Sequence, residues 1–204
     1  MNYFAFQKVF SNEHLIPIQF LPLMGISLDR RRLVEWQKVG KIERIANNWY
    51  WFEENQPNES DLFSLSNKIY SPSYISLETA LSYYGMIPEQ TFTIQSVSTR
   101  KPKLLTWRNH HFVWQSIQNR LFFDYQLILL GKFQVSIASP EKALLDLLYL
   151  RKDLRTRADI ESLRLNEDFM KTNFKWEKVH RLLIIMGNKT INQTFEHVEE
   201  LYRD

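Results

Sequence analysis

The sequence predicts an α+β fold, on three observations. Residues 26–45 read as a basic helix, a glycine stop and a strand, and a second, aromatic strand follows at Trp49–Phe52. Thr91–Ser98 alternates polar and apolar residues with the period of two that marks a half-buried strand. Three stretches with helical apolar spacing, 159–165, 168–186 and 188–202, follow late in the chain. The first observation is the element order of a winged helix-turn-helix. The chain therefore divides into an N-terminal winged helix-turn-helix, residues 1–55, and a larger mixed α/β domain with a helical C-terminal part, residues 60–204.

Each element has its own reason. Tyr3–Phe10 is the first helix, because Phe6, Val9 and Phe10 share one face. His14–Met24 reads as a second helix, interrupted by Pro17, tolerable in a first turn, and by Pro22, an early end or a kink. Gly25 permits a tight turn, and Ser27 or Asp29 caps a third helix running to Val39. Gly40 supplies the left-handed stop. Lys41–Ile45 and Trp49–Phe52 form the wing around Ala46-Asn47-Asn48, where Asn accepts a positive φ. Glu53–Ser60 is polar, contains Pro57 and lacks apolar periodicity, as a linker does.

In the second part, Ser76–Tyr84 is a helix stopped by Gly85. His111–Ile117 and Phe133–Ile137 are strand candidates after Thr91–Ser98, with Leu127–Leu130 as another. Ser139-Pro140-Glu141 opens a helix over Glu141–Leu150. Its apolar residues, Ala143, Leu144, Leu147, Leu148 and Tyr149, cover a face wide enough to predict deep burial.

Composition narrows the function classes. The absence of cysteine from the 204 residues excludes disulfides, thiolate zinc sites and cysteine nucleophiles. No apolar stretch approaches the roughly 20 residues of a membrane span, and the first residues lack the charged-then-apolar order of a secretory signal. A cytoplasmic protein with no membrane partner is expected. The five histidines show no metal-ligand spacing: His110 and His111 are adjacent, and His14, His180 and His197 are isolated. No phosphate-binding glycine loop or nucleophile elbow is present. No metal, cofactor or catalytic residue is expected. The strongest polar cluster, Glu141, Lys142 and Asp146, reads as a capped, buried helix with a paired edge, since Lys142 and Asp146 stand at i, i+4.

Charge points to nucleic acid. Residues 1–52 hold seven Lys/Arg against four Asp/Glu, whereas residues 53–204 hold 19 of each, so the net +3 sits in the first quarter. On the third helix, Leu33, Trp36 and Gly40 form an inward stripe, and Arg30, Arg31, Val34 and Lys38 a neighbouring outward face. That split lets one flank lock the helix while the other presents cations to phosphates or guanine edges. The expected DNA contacts are Arg30, Arg31, Arg32, Lys38 and Lys41, with Arg44, Asn47 and Asn48 on the wing. The rival reading is a protein–protein adaptor with a structural winged helix and with Trp49, Trp51 and Trp107 as interface anchors.

At these residues a resemblance enters. Arg32-Leu-Val-Glu-Trp-Gln-Lys-Val-Gly-Lys-Ile-Glu-Arg-Ile45 with Trp49-Tyr-Trp-Phe52 resembles the N-terminal winged helix of AbiEi-type antitoxins. Tyr74–Glu89, Thr93–Lys101 and Ile137–Leu150 resemble the same family in the same order, so the likeness spans roughly residues 30–165. The resemblance implies the antitoxin and transcriptional regulator of a type IV toxin–antitoxin system. It implies repression of its own operon through inverted repeats, read by a homodimer or by cooperative monomers. It also implies opposition to an AbiEii-type nucleotidyltransferase toxin, without requiring a stable complex. Two features depart from the family pattern: the wing turn is Ala46-Asn47-Asn48 rather than an Arg-Gly-type tip, and the second helix carries Pro17 and Pro22. A secondary basic stretch, Arg100, Lys101, Lys103 and Arg108, reads first as a solvated hairpin. The alternatives are an extension of the DNA footprint or a contact to toxin-bound RNA.

Overall fold

The computed structural model describes residues 1–10, 14–89 and 91–203 and is a mixed α+β protein, 46% helical and 23% strand. It comprises two compact units, Met1–Leu65 and Ser66–Asp204. The boundary falls within helix α3, Glu59–Ile69. This helix begins in the polar stretch read above as a linker. Asn58 and Asp61 cap it reciprocally, the backbone N–H of each donating to the other's side-chain oxygen at 3.0 Å. Among the described residues, no helix is long and apolar enough to cross a membrane.

The first unit runs α1 (Tyr3–Val9), β1 (Leu15–Pro17), a 3₁₀ turn (Ile18–Met24), α2 (Arg30–Lys38), β2 (Ile42–Ala46) and β3 (Trp49–Phe52). The three strands form an antiparallel sheet in the order β1-β3-β2. Here the structure corrects the sequence reading. His14–Met24 is not a helix: Leu15–Pro17 pairs with Trp49–Trp51, and 3₁₀ geometry follows. The prolines explain this, because Pro17 biases Ile16 toward extended backbone and Pro22 lacks the N–H that an α-helix starting at Ile18 needs. The core of the unit joins Phe6 of α1 and Phe10 just past its end to Ile16 and Leu21, Leu33 and Trp36 of α2, and Ile42 and Phe52 of the sheet.

The second unit holds a six-stranded mixed sheet of β4 (Ser73–Ile75), β5 (Thr93–Ser98), β6 (Lys103–Trp107), β7 (His110–Ser116), β8 (Tyr125–Leu130) and β9 (Phe133–Ala138). Its order is β6-β7-β5-β4-β9-β8, with β5–β7 and β4–β9 parallel and the remaining neighbours antiparallel. Helices α4 (Leu77–Tyr83) and α5 (Pro140–Leu150) pack on each other and on strands of the sheet. Four further helices follow: α6 (Arg157–Ser162), α7 (Glu167–Thr172), α8 (Trp176–Met186) and α9 (Lys189–Tyr202). The single helix expected over 168–186 is two, α7 and α8, broken at Asn173–Lys175. The Glu141 carboxylate anchors the break by accepting the Lys175 N–H at 3.1 Å.

Candidate nucleic-acid interface

Helix α2 is fixed at both ends and along one flank. Asp29 caps its start, its side chain accepting the Arg31 N–H at 2.9 Å. Gly40, at φ +66°, ends it. The Lys41 N–H reaches the Trp36 carbonyl at 2.9 Å and the Gly40 N–H the Gln37 carbonyl at 3.0 Å, the paired bonds of a Schellman stop. Leu33 and Trp36 are buried, and the Trp36 ring lies 4.9 Å from Phe6 and 5.6 Å from Tyr3. These two aromatic contacts, one with the buried Phe6 and one with the half-buried Tyr3, hold the orientation of the helix about its own axis.

The opposite flank is open. Arg30, Arg31, Val34 and Lys38 are exposed, and among the described residues no carboxylate pairs with Arg30, Arg31 or Lys38. Arg32 is also exposed but is engaged locally, donating to Glu35 at 3.0 Å. This pair is solvent-exposed and worth little, so a phosphate can displace Glu35 at small cost. The Lys41 ammonium sits 4.4 Å above the Tyr3 ring, where α1 meets the end of α2.

The β2–β3 turn holds the remaining candidates. Arg44 is folded back, its guanidinium donating to Asn47 Oδ1 at 3.2 Å and to the Ala46 carbonyl at 3.4 Å. Asn47 is exposed at the tip. Asn48 serves the backbone: it takes φ +62°, and its carbonyl accepts the Ile18 N–H at 2.9 Å, tying the turn to the 3₁₀ segment. The structure thus brings Arg30, Arg31 and Lys38 to one helix flank, and Arg44 and Asn47 to one turn, all within the first unit.

The secondary basic stretch wraps an aromatic post. The Arg100 guanidinium lies 4.3 Å and the Lys103 ammonium 5.0 Å from the centre of the Tyr70 ring, while the Tyr70 hydroxyl donates to the Lys101 carbonyl at 2.7 Å. Burial, with help from the nearby Arg100 charge, holds the Lys103 ammonium below its ordinary pKa. Arg108, at φ +50°, stacks over Trp107 at 5.0 Å.

Trp49, Trp51 and Trp107 are all buried, which removes them as the exposed anchors that the adaptor reading needs. Trp51 donates to the Asn55 carbonyl at 2.9 Å and lies edge-on to His14.

The polar cluster on α5 is closed from solvent. Lys142 and Asp146 are fully buried and ion-paired. Lys142 Nζ donates to the Tyr74 hydroxyl, and the Tyr74 and Ser76 hydroxyls each donate to Asp146 Oδ2, all at 2.9 Å. Burial pushes the Asp146 carboxyl upward, against the Lys142 charge and these donors. Tyr74 is raised far above the ordinary phenol value by burial and by the Asp146 charge. Tyr74 and Ser76 carry no local sign of this role, since they stand 72 and 70 residues from their acceptor. Among the described residues, no group of three or more His, Asp or Glu is arranged to hold a metal ion. Compared with protein-family models and with curated proteins, the chain matches none.

Proposed function

We propose that this chain is a DNA-binding transcriptional autorepressor and the antitoxin of a type IV toxin–antitoxin system, with its first unit acting as a winged helix-turn-helix. One observation carries the DNA reading: Arg30, Arg31 and Lys38 stand free on the flank of α2 opposite the buried Leu33 and Trp36. In this reading α2 enters the major groove, with Arg30 and Arg31 addressing guanine edges and Lys38 a phosphate. Val34, 51% exposed between them, suits a thymine methyl. Arg44 and Asn47 offer a contact to the flanking backbone once Arg44 releases the turn. The antitoxin part rests on the resemblance of four segments to the AbiEi-type family, and its target is an AbiEii-type nucleotidyltransferase toxin.

The test is a gel shift with DNA from upstream of the gene. Arg30→Ala with Arg31→Ala is expected to weaken operator binding by about a hundredfold or more, at roughly 1–3 kcal/mol per bidentate contact. The circular dichroism spectrum and melting temperature stay unchanged, because both side chains lie in solvent. Operator binding retained by the double variant removes the assignment. A second reading, a protein–protein adaptor, draws on Phe20, Leu23 and Met24, exposed together on the 3₁₀ turn. A stable complex with a neighbouring gene's product, and no shift of upstream DNA, decides for it.

A further inference from the structure

The two edges of the six-stranded sheet are built differently. At one edge, β6 is preceded by the exposed Lys101 and Pro102, and charge and proline beside a free edge oppose pairing. At the other edge, β8 is Tyr-Gln-Leu-Ile-Leu-Leu, with no charge, proline or glycine. Leu127 and Leu129 are 67% and 74% exposed, and Tyr125 shares their face. An uncharged, apolar edge of this kind is a template for another strand.

The turn at its end sets which backbone groups point outward. Gly131 and Lys132 join β8 to β9, with Leu130 opposite Phe133 and a positive φ at Gly131 but not at Lys132. This is a type II′ hairpin, in which the pair flanking the turn exchanges both hydrogen bonds. By alternation, Leu130, Ile128 and Gln126 bond to β9, and the N–H and C=O of Leu129, Leu127 and Tyr125 face away from it.

We propose that β8 is a dimerisation edge occupied by a second copy of this chain, the two strands running antiparallel about a twofold axis at Leu127. The outward row has an odd number of members, so its midpoint is a residue. Leu127 then faces the second copy's Leu127, and Tyr125 faces its Leu129. Every outward donor and acceptor of the row is paired, about six hydrogen bonds in all. Self-pairing brings no like charges together, and a neutral strand has nothing with which to select a charged partner. The same patch serves both copies, as a closed twofold interface requires. The inference is independent of what α2 binds.

Sedimentation equilibrium of the full chain without DNA tests it. The wild type is expected to show a reversible monomer–dimer equilibrium. Leu127→Lys and Leu127→Glu, each alone, place like charges across the axis and weaken association by about tenfold or more. An equimolar mixture of the two variants associates again, because opposite charges then meet. Leu127 is mostly in water in one copy, so unchanged melting temperatures at low concentration verify both folds. A wild type that stays monomeric at every concentration overturns the proposal. So does a dimer that ignores both substitutions, or a mixture that fails to reassociate.

Discussion

At Gly40 one backbone angle decides where α2 ends. The residue holds φ +66° and donates one of the two Schellman bonds, and a Cβ added there meets nothing within 4 Å. Substitution is therefore opposed by conformation and not by a clash. Gly40→Ala is expected to lower stability by about 1–2 kcal/mol, the usual cost of a left-handed L-residue, and Gly40→Asn by distinctly less. Urea unfolding followed by tryptophan fluorescence reads both, and equal losses for Ala and Asn count against this account. Asn48 shows the same economy in the sequence itself, an asparagine at φ +62° where a hairpin needs a left-handed residue.

Among the elements, α5 shows how far a periodic pattern reaches. Its i, i+4 spacing predicts the Lys142–Asp146 pair, and its apolar face predicts burial. Spacing says nothing about Tyr74 and Ser76, which arrive from another strand and a helix start. Similar limits explain the elements the sequence reading lacks. β4 is three residues, all buried, so no alternation marks it. α3 opens with polar capping residues that have the composition of a linker. The α2–Gly40–β2–turn–β3 run was readable because its signals are local: a cap, a stop, a short strand and a second, aromatic one. The candidate contacts were readable as residue types on a face, whereas the Arg32–Glu35 pair and the folded-back Arg44 depend on rotamers. The buried pair on α5 makes its own prediction. Lys142→Met leaves Asp146 without its cation in a site closed to water, and is expected to cost about 3–5 kcal/mol. Adding Asp146→Leu removes the orphaned charge, although Tyr74 and Ser76 then lose their acceptor, so recovery is partial. Chemical denaturation of the single and double variants measures this, and additive losses would exclude the coupling.

For the whole molecule the net charge of +3 conceals segregation along the chain: residues 53–89 hold one Lys/Arg and six Asp/Glu, whereas residues 90–140 hold six and one. Charge count alone would give residues 90–140 a larger share of any nucleic-acid affinity than residues 1–52. The geometry argues otherwise. Arg100 stacks on Tyr70 and donates to the Ser71 carbonyl at 3.1 Å, and Lys103 is half-buried over Tyr70 and Trp114. These cations are held by the hairpin they brace, whereas Arg30, Arg31 and Lys38 are free to displace counterions. Salt dependence separates the two cases, since each neutralised phosphate contributes about 0.9 to the slope of log affinity against log salt. Replacing Lys38, the phosphate contact of the proposed reading, by Ala is expected to flatten that slope by about 0.9, at one phosphate. Replacing Arg100, Lys101 and Lys103 by Ala is expected to leave the slope unchanged and to lower the melting temperature instead. Fluorescence anisotropy across a salt series measures both, and a slope that responds to the second set and not the first moves the nucleic-acid interface from α2 to the sheet.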